Sequence, residues 1–225
     1  MVSEHWTPGW THYLLKPAPA ILCAWFAAYP SNGTQISSSI RKYLMFAFAF
    51  CAIGDLLLAL EPVGSTGHYL FLSGMASFGF AHVCFIGAMI GGVPVSNINA
   101  KRHWGQLAVA TLLLVFGVEY FILSRESFGD LKLAVLIYAS ALVVMSIAAS
   151  LRMLHHGKGS YLSVLGGAVL FMTSDALLAT VRFTDHIDAA SFMILPTYFA
   201  AIGMLCYGFS IGKTRCDKDS LESGS

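Results

Sequence analysis

The stretch Cys51-Ala52-Ile53-Gly54-Asp55-Leu56-Leu57-Leu58-Ala59-Leu60 is apolar except for one carboxyl group. A second stretch, Met172-Thr173-Ser174-Asp175-Ala176-Leu177-Leu178-Ala179, repeats its frame: a small residue, Asp, any residue, Leu, Leu, Ala. Both lie inside runs long enough to cross a bilayer. An ionisable group in hydrocarbon is costly, so it faces a bundle interior and serves a purpose. The competing reading is that each aspartate is only a structural polar contact between helices.

Composition sets the class. Of the 225 residues, 56% are hydrophobic and 11% charged, where an average soluble domain carries roughly 25% charged residues. The chain is therefore expected to be an integral membrane protein, and its length suits one domain. A net charge of +1 supplies no basic field for nucleic acid, and none is expected as a partner. The N-terminus holds Glu4, His5, Trp6, Pro8 and Trp10 rather than a basic segment followed by an apolar one, so no signal peptide is expected. Cys23, Cys51, Cys84 and Cys206 lie in apolar runs and Cys216 in the tail, which gives neither a disulfide framework nor a Cys-x-x-Cys metal site.

A spanning helix needs about 20 mainly apolar residues. Seven runs qualify, near 13–30, 42–60, 68–91, 103–123, 131–151, 160–181 and 189–211. The fold class is thus all-α, a polytopic transmembrane bundle forming one domain over 1–225. The first run opens on Lys16-Pro17 and Pro19, tolerable in a first helical turn where a missing N–H costs nothing. The polar tail 213–225 is expected to be disordered. Glycines 54, 74, 79, 87, 166 and 167 are expected to let helices approach closely.

Basic residues orient the bundle. One side receives Arg41, Lys42, Lys101, Arg102, Arg152, Lys158, Lys213, Arg215 and Lys218; the other receives Lys16, Arg125, Lys132 and Arg182. The richer side is the cytosolic one. The N-terminus is then outside or luminal, the C-terminus is cytosolic, and the sequon at Asn32 stays unmodified. An endoplasmic reticulum membrane is the expected location.

Asp55 precedes Glu61 by six residues, and Asp175 precedes Arg182 by seven. At 1.5 Å per residue, both carboxyls lie about 9–10 Å inside the same end of the bundle. Lys16, Tyr138 and Tyr198 belong to this end. Glu119 is near the same level but close enough to the interface to snorkel. His82 is the one histidine well inside a span; a lone buried histidine is commonly a satisfied core group. His68, His103, His155, His156 and His186 lie near loops or helix ends, so no three-ligand zinc site is evident.

The ordered set Lys16-Pro17, Gly54-Asp55, Phe78-x-x-Ala81-His82, Ser174-Asp175 followed by Phe183, and Tyr198-Phe199 resembles the YhhN-like membrane proteins, whose animal members are lysoplasmalogenases. The resemblance runs from about Lys16 to Tyr207. That family usually has eight spans, the extra one ahead of Lys-Pro, and the residues before Lys16 are expected to be too few for it. Two positions depart from the family pattern: Phe85 stands where Tyr is common, and Ile202 where Gln is common.

The resemblance implies hydrolysis of the vinyl ether bond of a lysoplasmalogen, a single-chain lipid reached within the bilayer. An enol ether is cleaved by protonating its β-carbon, after which water adds to the oxocarbenium ion. The reaction needs one protonated carboxyl and one carboxylate, a demand that glycosidases meet with two carboxyl groups in different environments. Asp55 and Asp175 are the expected catalytic residues. Lys16, His82, Tyr138 and Tyr198 are the expected substrate-binding residues. No cofactor and no metal is expected, and a homodimer is left open. The rival readings are a seven-span receptor or light-driven pump, a small proton-coupled transporter and an inactive scaffold. The last run offers no mid-span lysine for a retinal Schiff base, and the D-x-L-L-A echo is too short to mark an inverted repeat.

Overall fold

A computed structural model of the chain describes residues 15–29, 36–61, 67–91, 104–152, 158–183 and 188–212, with backbone only at 188–191. Seven α-helices run through them: α1 Ala18–Ala28, α2 Ser38–Leu60, α3 Gly67–Ile90, α4 Trp104–Ser124, α5 Lys132–Leu151, α6 Lys158–Phe183 and α7 Asp188–Ser210. A 3-10 turn, Gly129–Leu131, leads into α5, and no strand occurs among the described residues. Helices α2 to α7 are long and apolar enough to cross a membrane. Helix α1 is apolar but has 11 residues, short of the roughly 20 needed to span. Asn32, the loop 153–157, the tail 213–225 and the region that bears on an eighth span all lie outside the described residues.

Local chemistry sets several helix ends. Ser37 caps α2 by accepting from the Ile40 amide at 3.3 Å, so this helix begins earlier than hydropathy alone suggests. Pro17 takes the cap position of α1, and its carbonyl accepts from the Ile21 amide at 3.0 Å. Pro196 lies inside α7, where it removes one backbone donor. In the same turn Thr197 donates to the Met193 carbonyl at 2.6 Å, and Ser174 reaches across from α6 to the Ile194 carbonyl at 3.0 Å.

The packing closes a ring. Helix α2 packs on α3, α3 on α5, α5 on α6, α6 on α7, and α7 on α1, which returns to α2. Helix α4 packs against α5 on the outside, and Ala110 is its one residue buried in the protein. Glycines allow the close approaches that were expected. A Cβ at Gly167 would lie 3.0 Å from the Ala201 carbonyl oxygen, and one at Gly54 would lie 2.7 Å from the Phe78 ring. Gly79 differs: its Cβ would meet only Tyr138, at 3.8 Å. Arg152 is not in a solvated loop. It is buried at the far end of the bundle, its guanidinium 4.2 Å from the centre of the Phe209 ring. Burial draws that group down to about 10, which leaves it a cation at neutral pH.

Candidate active site

Two aspartates and two tyrosines meet inside the ring. Asp55 sits near the end of α2 with 1% of its surface exposed, and Tyr198 on α7 donates its hydroxyl to Asp55 Oδ2 at 2.7 Å. Asp175 sits near the end of α6, where Tyr138 on α5 donates to Asp175 Oδ2 at 2.6 Å. Each carboxyl thus receives a phenol from a helix other than its own.

His82 on α3 enters beside Asp175. It is fully buried, and its Nε2 lies 3.8 Å from Asp175 Oδ2, beyond hydrogen-bond reach. Neither ring nitrogen has a partner. A buried polar atom left unpaired costs about 1–3 kcal/mol, so these nitrogens are poised to take a polar guest. The imidazole is packed by aromatic edges, with Tyr138 at 5.2 Å and Phe171 at 5.1 Å between centroids. Phe171 continues to Tyr198 at 5.5 Å, and Phe78 contacts both Tyr198 and Phe171, at 5.9 and 6.2 Å. Edge-to-face rings at these separations add about 0.5–1.5 kcal/mol per pair beyond burial. A continuous aromatic cluster therefore links the Asp55–Tyr198 pair to the Asp175–Tyr138 pair.

The end of the bundle above this layer is held by charge. Arg182 Nη2 bonds Glu61 Oε1 at 2.6 Å, tying the end of α6 to that of α2, and its guanidinium covers Phe71 at 4.8 Å. Lys16 is half-buried, and the carboxyls whose fields reach it are Asp55 and Glu61. Glu119 is exposed on α4, outside the ring. Tyr120, also on α4, donates to the Ala176 carbonyl at 2.8 Å and so braces the turn that carries Asp175.

A cavity of about 50 Å³ reaches Asp175 between Phe71, Phe78, Tyr138 and Phe183. One water needs about 10–15 Å³ of such space, so this cavity admits water to the acid. Asp175 keeps 11% of its side chain exposed, and Asp55 does not line the cavity.

All six residues singled out from the sequence fall at this end of the bundle, and five of them form the cluster itself. Sequence reading quoted Phe78 only as part of a family motif and missed Phe171, Tyr120 and the Glu61–Arg182 pair. Phe78 precedes His82 by four residues and Phe171 precedes Asp175 by four. This spacing puts each ring one helical turn from a polar residue of the site on its own helix.

Comparison with known proteins gives the family. A lysoplasmalogenase of Mycobacterium tuberculosis (strain CDC 1551 / Oshkosh) is 28% identical over 220 residues, covering 95% of this chain and 77% of that protein. Lysoplasmalogenase TMEM86A of Bos taurus is 24% identical over 199 residues, covering 87% of this chain and 76% of its own length. Lysoplasmalogenase TMEM86B of Sus scrofa is 26% identical over 195 residues, with coverage of 86% and 73%. No solved structure matches the chain significantly. The family model described as the YhhN family matches residues 11–209, spanning every helix of the ring. The chain belongs to the YhhN family.

Proposed function

We propose that this protein hydrolyses the vinyl ether bond of a lysoplasmalogen inside the membrane, with Asp55 and Asp175 as its catalytic pair. The observation that carries the reading is the pair itself: two carboxyls in one layer, each bound by a tyrosine hydroxyl, around one aromatic cluster. The relatives named lysoplasmalogenase support the substrate class.

In this reading Asp175, the carboxyl that meets the cavity, delivers its proton to the carbon β to the ether oxygen. The double bond's electron pair forms the new C–H bond, and the α-carbon becomes an oxocarbenium ion. Water in the cavity at Asp175 attacks that carbon and gives up a proton to the Asp175 carboxylate. The hemiacetal then collapses: the C–O bond to glycerol breaks, its oxygen takes the proton, and a fatty aldehyde leaves with the glycerophospho head group. Asp55, the carboxyl set back from the cavity and bound by Tyr198, is the carboxylate that stabilises the cation. The faces of Phe78 and Phe171 add to this stabilisation. Lys16 lies toward the head group and binds its phosphate as a point charge.

The orientation we propose follows the unequal distribution of basic residues, with the carboxylate end outside or luminal. The whole bundle acts as a single transmembrane domain.

The test is direct. Purified protein in detergent is given lysoplasmenylethanolamine in heavy water. Aldehyde and glycerophosphoethanolamine are expected in equal amounts, with one deuterium on the carbon next to the aldehyde. Absence of aldehyde release refutes the hydrolase, and aldehyde without that deuterium refutes β-carbon protonation.

A further inference from the structure

The chemistry above needs somewhere to put one long hydrocarbon chain. Resting on that reading, we propose that the groove between α3 and α5 is the chain subsite, and that Gly79 keeps it open. This groove measures about 470 Å³, within the range of sites that enclose small-molecule ligands. Small side chains, Ala76 and Ala141 among them, line it beside Gly79.

Adjacency singles out this groove. Met75 and Tyr138 line both it and the cavity at Asp175, so the two spaces share a wall made of two side chains. One of those, Tyr138, is the phenol bound to Asp175. A second cavity of about 440 Å³ lies between α1, α2 and α7 and touches none of the site's polar residues. A third, of about 300 Å³ between α4 and α5, is likewise remote from them.

Position fits as well. Along α3 the groove runs from Leu72 to Val83, about 16 Å at 1.5 Å per residue. That is roughly half of a 30 Å hydrocarbon core. It runs from beside Phe71, which Arg182 covers, past Tyr138 to beside His82, and so passes the carboxylate layer. A lipid with its vinyl ether at Asp175 would begin its chain at the level of Tyr138 and lay it along the inner part of this groove. The rim is apolar and open to the bilayer, with Phe80 58% and Ile137 64% exposed. Gly74 and Gly87, on the same helix, are pressed by Leu58 and Tyr43 at 2.9 Å, whereas a Cβ at Gly79 finds room. Glycine at 79 therefore serves an unfilled space and not a tight helix crossing.

The experiment uses the full-length protein and Gly79→Leu, with Leu112→Phe on the exposed face of α4 as a control for added bulk. Leucine is a better helix former than glycine, so the groove variant is expected to fold. The probe is a saturated 1-O-alkyl lysophosphatidylethanolamine carrying a photoreactive group near the end of its chain. Label that unlabelled lipid competes away is expected on peptides from α3 and α5, to fall at least ~10-fold in Gly79→Leu, and to persist in Leu112→Phe. That figure is the low end of what one methylene misfit is worth in an apolar pocket. In turnover, Gly79→Leu is expected to lose a similar factor in kcat/KM for long chains relative to short ones. Competed label on α1, α2 and α7 instead, or label on α3 and α5 unchanged in Gly79→Leu, overturns the subsite. A wild type that labels in the groove but releases no aldehyde keeps the subsite and removes the hydrolase, so the two failures are distinguishable.

Discussion

Replacing Asp175 by asparagine separates its chemical role from its structural one. Asparagine keeps the volume and still offers Tyr138 an oxygen where Oδ2 now accepts at 2.6 Å. With Asp175 as the protonated acid the bond is neutral before and after, worth about 0.5–1.5 kcal/mol in each case, so the change in stability stays within about 1 kcal/mol. A loss near 1 kcal/mol lowers Tm by about 2–4 °C in a chain of this size. Turnover should change far more, because a positioned general acid contributes about 10²–10⁴-fold. Asp55→Asn is expected to act similarly through loss of the carboxylate charge, with Tyr198 retained as donor. If the two work as a unit, the double variant should fall within a few-fold of the slower single one, since such residues are strongly non-additive. The assay is aldehyde release from lysoplasmenylethanolamine by wild type, both single variants and the double variant, with thermal unfolding measured on the same preparations. Near-normal turnover in either single variant refutes the two-carboxyl mechanism. A collapse of Tm alongside activity would make the aspartates structural contacts.

Three further outcomes are expected. Gly54→Ala pushes a methyl to 2.7 Å from the Phe78 ring, which packs on Tyr198; overpacking of this kind costs about 1–3 kcal/mol, read as a lowered Tm together with reduced turnover. Lys16→Ala should raise KM while leaving kcat nearly unchanged, because binding the phosphate helps ground state and transition state alike; a fall in kcat at constant KM would refute that role. A tag on the C-terminus should be reachable only from the cytosolic side and Asn32 should carry no glycan, as protease protection and glycosidase treatment of microsomes would report; glycan at Asn32 would invert the bundle.

Much of this site was legible in the sequence because helical rise converts residue number into depth. Counting from Glu61 and Arg182 sufficed to put Asp55 and Asp175 in one layer, and it put Tyr138 and Tyr198 at the same end. The pairing of each tyrosine with its aspartate was not legible. That depends on which helices are neighbours, and hydropathy carries no neighbour order: α3 packs on α5 while α4 stays outside the ring. The packing of Phe78 and Phe171 was hidden for a related reason. In an apolar helix a phenylalanine facing lipid reads the same as one facing the interior, and only the spacing of four to His82 and to Asp175 distinguishes them. Arg152 escaped as well, since a terminal arginine usually reaches water, whereas this one turns inward onto Phe209.

The same limit governs the glycines, and there the consequence is functional. By sequence Gly74, Gly79 and Gly87 on α3 are equivalent small residues, suited to close helix packing. By geometry two are filled by Leu58 and Tyr43 and one faces open space beside Tyr138. A bundle that packed α3 on α5 as tightly as α2 on α3 would have no groove there and would shut the wall of Met75 and Tyr138 off from the lipid. The splay at Gly79 thus weakens one seam of the ring while leaving the carboxylate layer within reach of a chain arriving sideways. Filling that seam should therefore tighten the protein and impair its turnover at once. A Gly79→Leu protein with a raised Tm and lowered long-chain activity would display that trade directly. One with a raised Tm and wild-type activity on long chains would show that the chain takes another route.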